Sequence, residues 1–89
     1  MLERQITVVN RLGLHARAAA KLVQLLSSYR SRAFLASNDR EVNAKSIMGV
    51  LLLAAGQGSV VTLRLDGEDE EQAMAAAVDL FERRFDEGE

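Results

Sequence analysis

Eighty-nine residues, 48% of them hydrophobic and only 4% aromatic, suit one small domain built on aliphatic packing and leave no room for a catalytic cleft between two lobes. No cysteine and a single histidine exclude a disulfide framework, a thiolate metal site and an imidazole cluster. The formal net charge of −2 hides a split: residues 1–45 hold eight basic against three acidic side chains (+5), and residues 46–89 hold three against ten (−7). That asymmetry argues against a uniformly basic nucleic-acid binder and for a face that meets a charged partner. The N-terminus lacks the basic-then-apolar order of a signal peptide, and the longest apolar stretch, residues 47–55, is far short of the ~20 residues of a membrane span. The expectation is a reduced, cytoplasmic protein with no membrane insertion, no metal and no cofactor.

Residues 2–9 alternate Leu2, Arg4, Ile6 and Val8 against Glu3, Gln5 and Thr7, which predicts a β-strand. Asn10-Arg11-Leu12-Gly13 reads as a loop. Over residues 16–27 the spacing turns helical, with Ala19, Leu22, Val23 and Leu26 on one face and Arg17, Lys21, Gln24 and Ser28 on the other. Residues 32–37 and 40–43 flank Asn38-Asp39, a pair that tolerates positive φ and predicts a tight hairpin. Ser46 opens the apolar segment SIMGVLLLAAG. Its length admits strand or helix, and the serine start, the stop at Gly56 and Gly58, and the Leu/Ala content favour a short helix. Residues 59–65 return to strand alternation with Val61, Leu63 and Leu65 on one face.

Asp66-Gly67 turns the chain into a last helix over residues 69–84. Acidic residues Asp69, Glu70 and Glu71 stand in its first turn and Arg83 and Arg84 at its end, as the helix dipole favours. Its buried stripe is expected to be Ala73, Ala76, Ala77, Leu80 and Phe81. The order is βαββαβα in one domain spanning residues 1–89. One sheet with helices on one face makes it an α+β two-layer sandwich. Glu68 to Glu71 reads as a solvated helix start, and Asp86-Glu87-Gly88-Glu89 as a frayed tail.

The sharpest local feature is Gly13-Leu14-His15-Ala16-Arg17, a loop running straight into a helix. A helix N-terminus offers free backbone N–H groups and partial positive charge, a natural site for an anion. An imidazole placed there favours its neutral form, whose ring nitrogen is a nucleophile. Arg17, two residues on, can hold phosphoryl oxygens. These are the parts that reversible phosphorylation of a histidine needs. On this spacing alone, an ordinary surface histidine stays open as well.

The stretch Asn10-Arg11-Leu12-Gly13-Leu14-His15-Ala16-Arg17-Ala18-Ala19-Ala20-Lys21-Leu22-Val23 closely resembles the phosphorylatable-histidine signature of the HPr phosphocarrier family. Lys45-Ser46-Ile47-Met48-Gly49-Val50-Leu51 resembles that family's second, serine-centred signature, at the family's separation. The resemblance implies an open-faced β-sandwich, a four-stranded antiparallel sheet covered on one face by three helices. It further implies a phosphoryl relay in the bacterial phosphoenolpyruvate-dependent phosphotransferase system. Enzyme I charges His15 at Nδ1, Arg17 stabilises the phosphoryl group, and an enzyme IIA domain receives it. Ser46 matches the regulatory serine that a dedicated HPr kinase phosphorylates in some bacteria. The docking face so implied comprises Ala20, Lys21, Gln24, Ile47, Met48 and Leu51, on a carrier expected to be a monomer.

The family usually has proline directly after the arginine, where this chain has Ala18 and contains no proline at all. Alanine also suits a first helical turn, so the helix is expected to survive, with the rigidity of the His15 loop left open and phosphoryl transfer expected to be slower rather than lost. Within the apolar segment, Val50 and Leu53 are the better core candidates, which leaves Ile47, Met48 and Leu51 as an exposed patch. Ser46 is in the first instance a helix cap. Phosphate on it would add negative charge within that patch and repel an acidic partner. A rival reading is an HPr-fold regulatory interaction module gated by Ser46 phosphorylation, against which the presence of both His15 and Arg17 speaks. Phe85-Asp86-Glu87 resembles the ending of the family's nitrogen-related branch, whereas Lys45 to Gly49 resembles the serine-regulated branch, and both branches stay open. Arg11, Arg17 and Lys21 bring much of the basic charge to the His15 region, while the acidic last helix and tail are not expected there.

Overall fold

The computed structural model describes residues 1–87. Strand β1 (Leu2–Thr7) leads to helix α1 (Ala16–Ser27), the hairpin β2 (Arg32–Ser37) and β3 (Arg40–Asn43), and helix α2 (Ile47–Leu52). Strand β4 (Val60–Asp66) and helix α3 (Glu70–Glu82) follow, and a short left-handed turn, Arg84–Asp86, precedes Glu87, the last described residue. All strand pairs are antiparallel, in the order β1-β4-β2-β3. Ile6 faces Val61, and Leu35 faces Leu63, so the apolar alternation of three strands falls on one face of the sheet. The helices cover that face. This is the expected open-faced α+β sandwich.

The core joins Ile6, Val8, Leu35, Val61, Leu63 and Leu65 of the sheet side to Leu22, Leu26, Val50, Leu80 and Phe81 of the helices. Asn38 and Asp39 both take positive φ, 52° and 64°, as a tight hairpin turn demands. β1 stops two residues short of the predicted end, yet Val8 still exchanges backbone hydrogen bonds with residues 58 and 59, at 2.8 Å each. Gly67 is required by space: a β-carbon there would lie 2.6 Å from Ser31 Cα. At the same corner the Asp69 carboxylate accepts hydrogen bonds from the Ser31 hydroxyl and from the amides of Arg30 and Ser31, joining the start of α3 to the start of β2.

Three details depart from the sequence reading. α2 does not run to Gly56 and Gly58; Ala54, at φ 51°, makes the left-handed turn that ends it. α3 ends at Glu82 rather than residue 84, and Met74 takes the buried place expected of Ala76, which is only half-buried. Met74 lies one residue after Ala73 and two before Ala76, so a wider stripe of the helix faces the core than an alanine-led pattern suggests. Around α2, Val50 and Leu53 are buried and Ile47 and Met48 exposed, as expected. Leu51, however, is half-buried and packs against the core, and Leu52 is 58% exposed.

Candidate functional site

His15 is the N-cap of α1, with extended backbone (φ −77°, ψ −178°). Its carbonyl accepts the first helical hydrogen bond from the Ala19 amide at 2.8 Å. The loop before it is pinned from several sides. Asn10 Nδ2 donates to the Gly13 carbonyl (2.8 Å), the Gly13 amide donates back to the Asn10 carbonyl (3.2 Å), and the Leu14 amide donates to the Ala55 carbonyl (2.9 Å). Gly13 sits at φ +69°, and a β-carbon there would stand 2.6 Å from Ala55 O and 2.7 Å from Gly56 Cα. Only glycine allows so close a backbone approach. α1 begins normally with Ala18 fully buried in its first turn.

The two imidazole nitrogens have different partners. The Arg17 amide donates to Nδ1 at 3.3 Å, so Nδ1 acts as an acceptor. Nε2 is hydrogen-bonded to the carboxylate of Glu87, which can only accept, so Nε2 carries the proton. Both neighbours select the same tautomer, in which Nδ1 is unprotonated and accepts from the Arg17 amide. The Arg17 side chain is exposed at that end, where its charge reaches Glu87.

Glu87 is held from two sides. Asn10 Nδ2 donates to its Oε1 at 3.0 Å, its Oε2 meets His15, and the side chain is only 9% exposed. Burial alone would push this carboxyl up, but the hydrogen bonds from Asn10 and His15, with the nearby positive charge of Arg17, bring it below its ordinary value. Lys21, one turn along α1, donates from Nζ to the Phe85 carbonyl at 2.7 Å and lies 3.8 Å from Asp86. The end of the described chain is therefore packed on the site, which corrects the expectation that Asp86 and Glu87 fray and that the acidic tail lies elsewhere. Gly88 and Glu89, the rest of that predicted tail, lie outside the described residues. Sequence reading missed Glu87 and Asn10. Seventy-two positions separate Glu87 from His15, and no periodicity or motif links them.

Of the residues assigned to docking, Gln24 on α1 is exposed and Ala20 and Lys21 are half-buried. On α2, Ile47 and Met48 are exposed, at 42% and 68%, and Leu51 is half-buried. Ser46 caps α2, its hydroxyl accepting from the Gly49 amide at 3.1 Å. Among the described residues no group of three or more His, Asp or Glu could hold a metal ion, and no helix is long and apolar enough to cross a membrane.

A histidine that caps a helix with its Nδ1 at the Arg17 amide, and an arginine beside it, stand on a βαββαβα sandwich of the phosphocarrier class. Residues 2–83 match the PTS-HPr family model, described as the PTS HPr component phosphorylation site. The chain is 62% identical over 87 residues to the phosphocarrier protein HPr of Xylella fastidiosa, with 98% of each chain covered. Its fold superposes on HPr-C-His from Thermoanaerobacter tengcongensis with a TM-score of 0.94 at 47% identity, covering 98% of both chains. It also matches an HPr dimer from the same organism, with a TM-score of 0.77 at 47% identity over 96% of this chain and 98% of the other. The chain belongs to the HPr family of phosphocarrier proteins of the phosphotransferase system.

Proposed function

We propose that this protein is a cytoplasmic, monomeric, stoichiometric carrier that accepts a phosphoryl group from phospho-enzyme I on Nδ1 of His15 and passes it to enzyme IIA domains. The observation that carries this reading is the position of Nδ1: an acceptor nitrogen at the N-terminus of α1, 3.3 Å from the Arg17 amide. The Nδ1 lone pair attacks phosphorus, the donor–phosphorus bond breaks with its electron pair leaving on the donor, and the P–Nδ1 bond forms. The phosphoryl oxygens then take the helix amides and the Arg17 guanidinium as partners, a charge-assisted arrangement in the positive end of the helix field. In the second transfer a nucleophile of the enzyme IIA domain forms a bond to phosphorus as the P–Nδ1 bond breaks, and that bond's electron pair returns to Nδ1.

Ser46 supplies a control point in the same reading. A phosphate there suits the N-terminus of α2 and leaves the fold intact, while it adds charge beside exposed Ile47 and Met48. In a pull-down, Ser46→Asp should lose affinity for enzyme I. Gain of a new partner instead would favour a regulatory module.

The deciding experiment is incubation with phosphoenolpyruvate, Mg²⁺ and enzyme I. An acid-labile phosphoryl group should appear on the wild type and be absent from His15→Ala. Equal labelling of His15→Ala overturns the assignment.

A further inference from the structure

We propose that Glu87 is a positioning residue for phosphoryl transfer, oriented by buried Asn10 and delivered to His15 by a strained left-handed turn; this rests on the reading of His15 as the phosphoryl carrier. Three consecutive residues other than glycine, Arg84, Phe85 and Asp86, have φ of 56°, 54° and 61°. Such a run is sterically costly for L-residues and persists only where its surroundings over-determine it. Here they do. The fully buried Phe85 ring meets Phe81 edge-on with centroids 4.9 Å apart, Lys21 holds the Phe85 carbonyl, and Arg83 grips both oxygens of Asp86 at 3.0 and 2.9 Å. The product of this constrained turn is the placement of the next side chain, Glu87, against the histidine.

Asn10 is the second, independent observation. It is fully buried, and its Nδ2 group has two protons, given to the Gly13 carbonyl and to Glu87 Oε1. The same side chain thus fixes the loop that carries His15 and the carboxylate that pairs with it. Glu87 divides its two oxygens between Asn10 and His15, so its direction is set from both ends.

The chemistry follows from which nitrogen it holds. With the proton kept on Nε2, Nδ1 alone is the nucleophile. As the P–Nδ1 bond forms, positive charge spreads over the ring and the Glu87 carboxylate offsets it. When the phosphoryl group leaves, the protonated Nε2 ensures that the departing group is neutral imidazole rather than imidazolate. No net proton is exchanged with solvent in either direction. The carboxylate lies at the ring nitrogen remote from the phosphoryl group, so it assists without occupying the anion site.

The test uses the full chain with phosphoenolpyruvate, Mg²⁺ and limiting enzyme I. Glu87→Ala should slow the first-order phosphorylation of His15 by about tenfold or more, the loss expected of a charge-assisted hydrogen bond. Glu87→Gln keeps one oxygen to accept from Nε2–H but loses the charge and the acceptor for Asn10 Nδ2, and should fall between. Ring ¹⁵N shifts of neutral His15 separate positioning from mere support of the fold: the wild type and Glu87→Gln should show the Nε2–H tautomer, and Glu87→Ala a mixture. A Glu87→Ala protein with unchanged rate, or one slowed with its tautomer unchanged, overturns the inference while leaving His15 labelling intact. Labelling of His15→Ala would instead overturn the carrier reading itself.

Discussion

Lys21 Nζ donates a hydrogen bond to the Phe85 carbonyl at 2.7 Å, fastening the end of the chain to α1 one turn beyond Arg17. The bond joins the basic first half of the sequence to its acidic end at the candidate site itself. It also caps a turn whose left-handed backbone needs external support.

Lys21→Met keeps the aliphatic stem and removes only the donor and its charge. A charge-assisted bond to a carbonyl leads us to expect a loss of about 1–2 kcal/mol. Thermal unfolding should register this as a fall of roughly 4–8 °C per kcal/mol for a domain of this size. The amides of residues 85–87 should also exchange faster with solvent than in the wild type. Unchanged melting and unchanged exchange would show that Lys21 does not secure the tail.

Gly13→Ala strikes the His15 loop from the other side. The new methyl would meet backbone atoms of residues 55 and 56, which cannot rotate away, on a residue held at φ +69°. Strain and clash together should cost about 2 kcal/mol or more. Urea unfolding should show a lower midpoint with an unaltered slope, and His15 phosphorylation should slow because the loop must shift. Wild-type values for both would mean that the loop relaxes freely, against the packing described.

The four strands, three helices and most of the apolar face were legible because each is a local pattern. Alternation in β4, the 3.6-residue spacing in α1 and the Asn38-Asp39 turn all act over a few residues. Ser46 as a cap was legible for the same reason. The end of α2 was not: Ala54 adopts a left-handed conformation that its residue type does not advertise, because closing the loop against Gly13 and Leu14 overrides local preference. The division between Leu51 and Leu52 depends on the angle at which a six-residue helix meets the core, which spacing alone leaves free. His15 and Arg17 sit within one motif and could be found together. Asn10 and Glu87 reach His15 only through tertiary folding, since Glu87 lies on a turn stabilised by Phe81, Lys21 and Arg83 rather than by its own sequence.

The cap of α2 predicts a stability effect separable from signalling. Ser46→Ala leaves the Gly49 amide without its 3.1 Å acceptor and should destabilise the protein by about 1 kcal/mol. Ser46→Asp restores an acceptor and suits the helix dipole, so its melting temperature should stay near that of the wild type. Differential scanning calorimetry of the three proteins checks this. An Asp variant as unstable as the Ala variant would show that the cap contributes nothing.

Asp69 joins α3 to the start of β2 and gives the fold a dependence on pH. The Ser31 hydroxyl, then the Arg30 amide, hold its carboxyl below the ordinary value against the opposing effect of burial. A carboxyl depressed in the folded state stabilises the protein fully above its unfolded pKa. That contribution is lost as the pH falls through the lower, folded value. Asp69→Asn should therefore be less stable than the wild type near neutrality, and the two urea midpoints should converge as the pH falls below the carboxylate range. Midpoints that stay a constant distance apart from neutral to acid would show that Asp69 is not ionised and bonded as described. Convergence would tie acid sensitivity to this one corner, at the opposite end of α1 from His15.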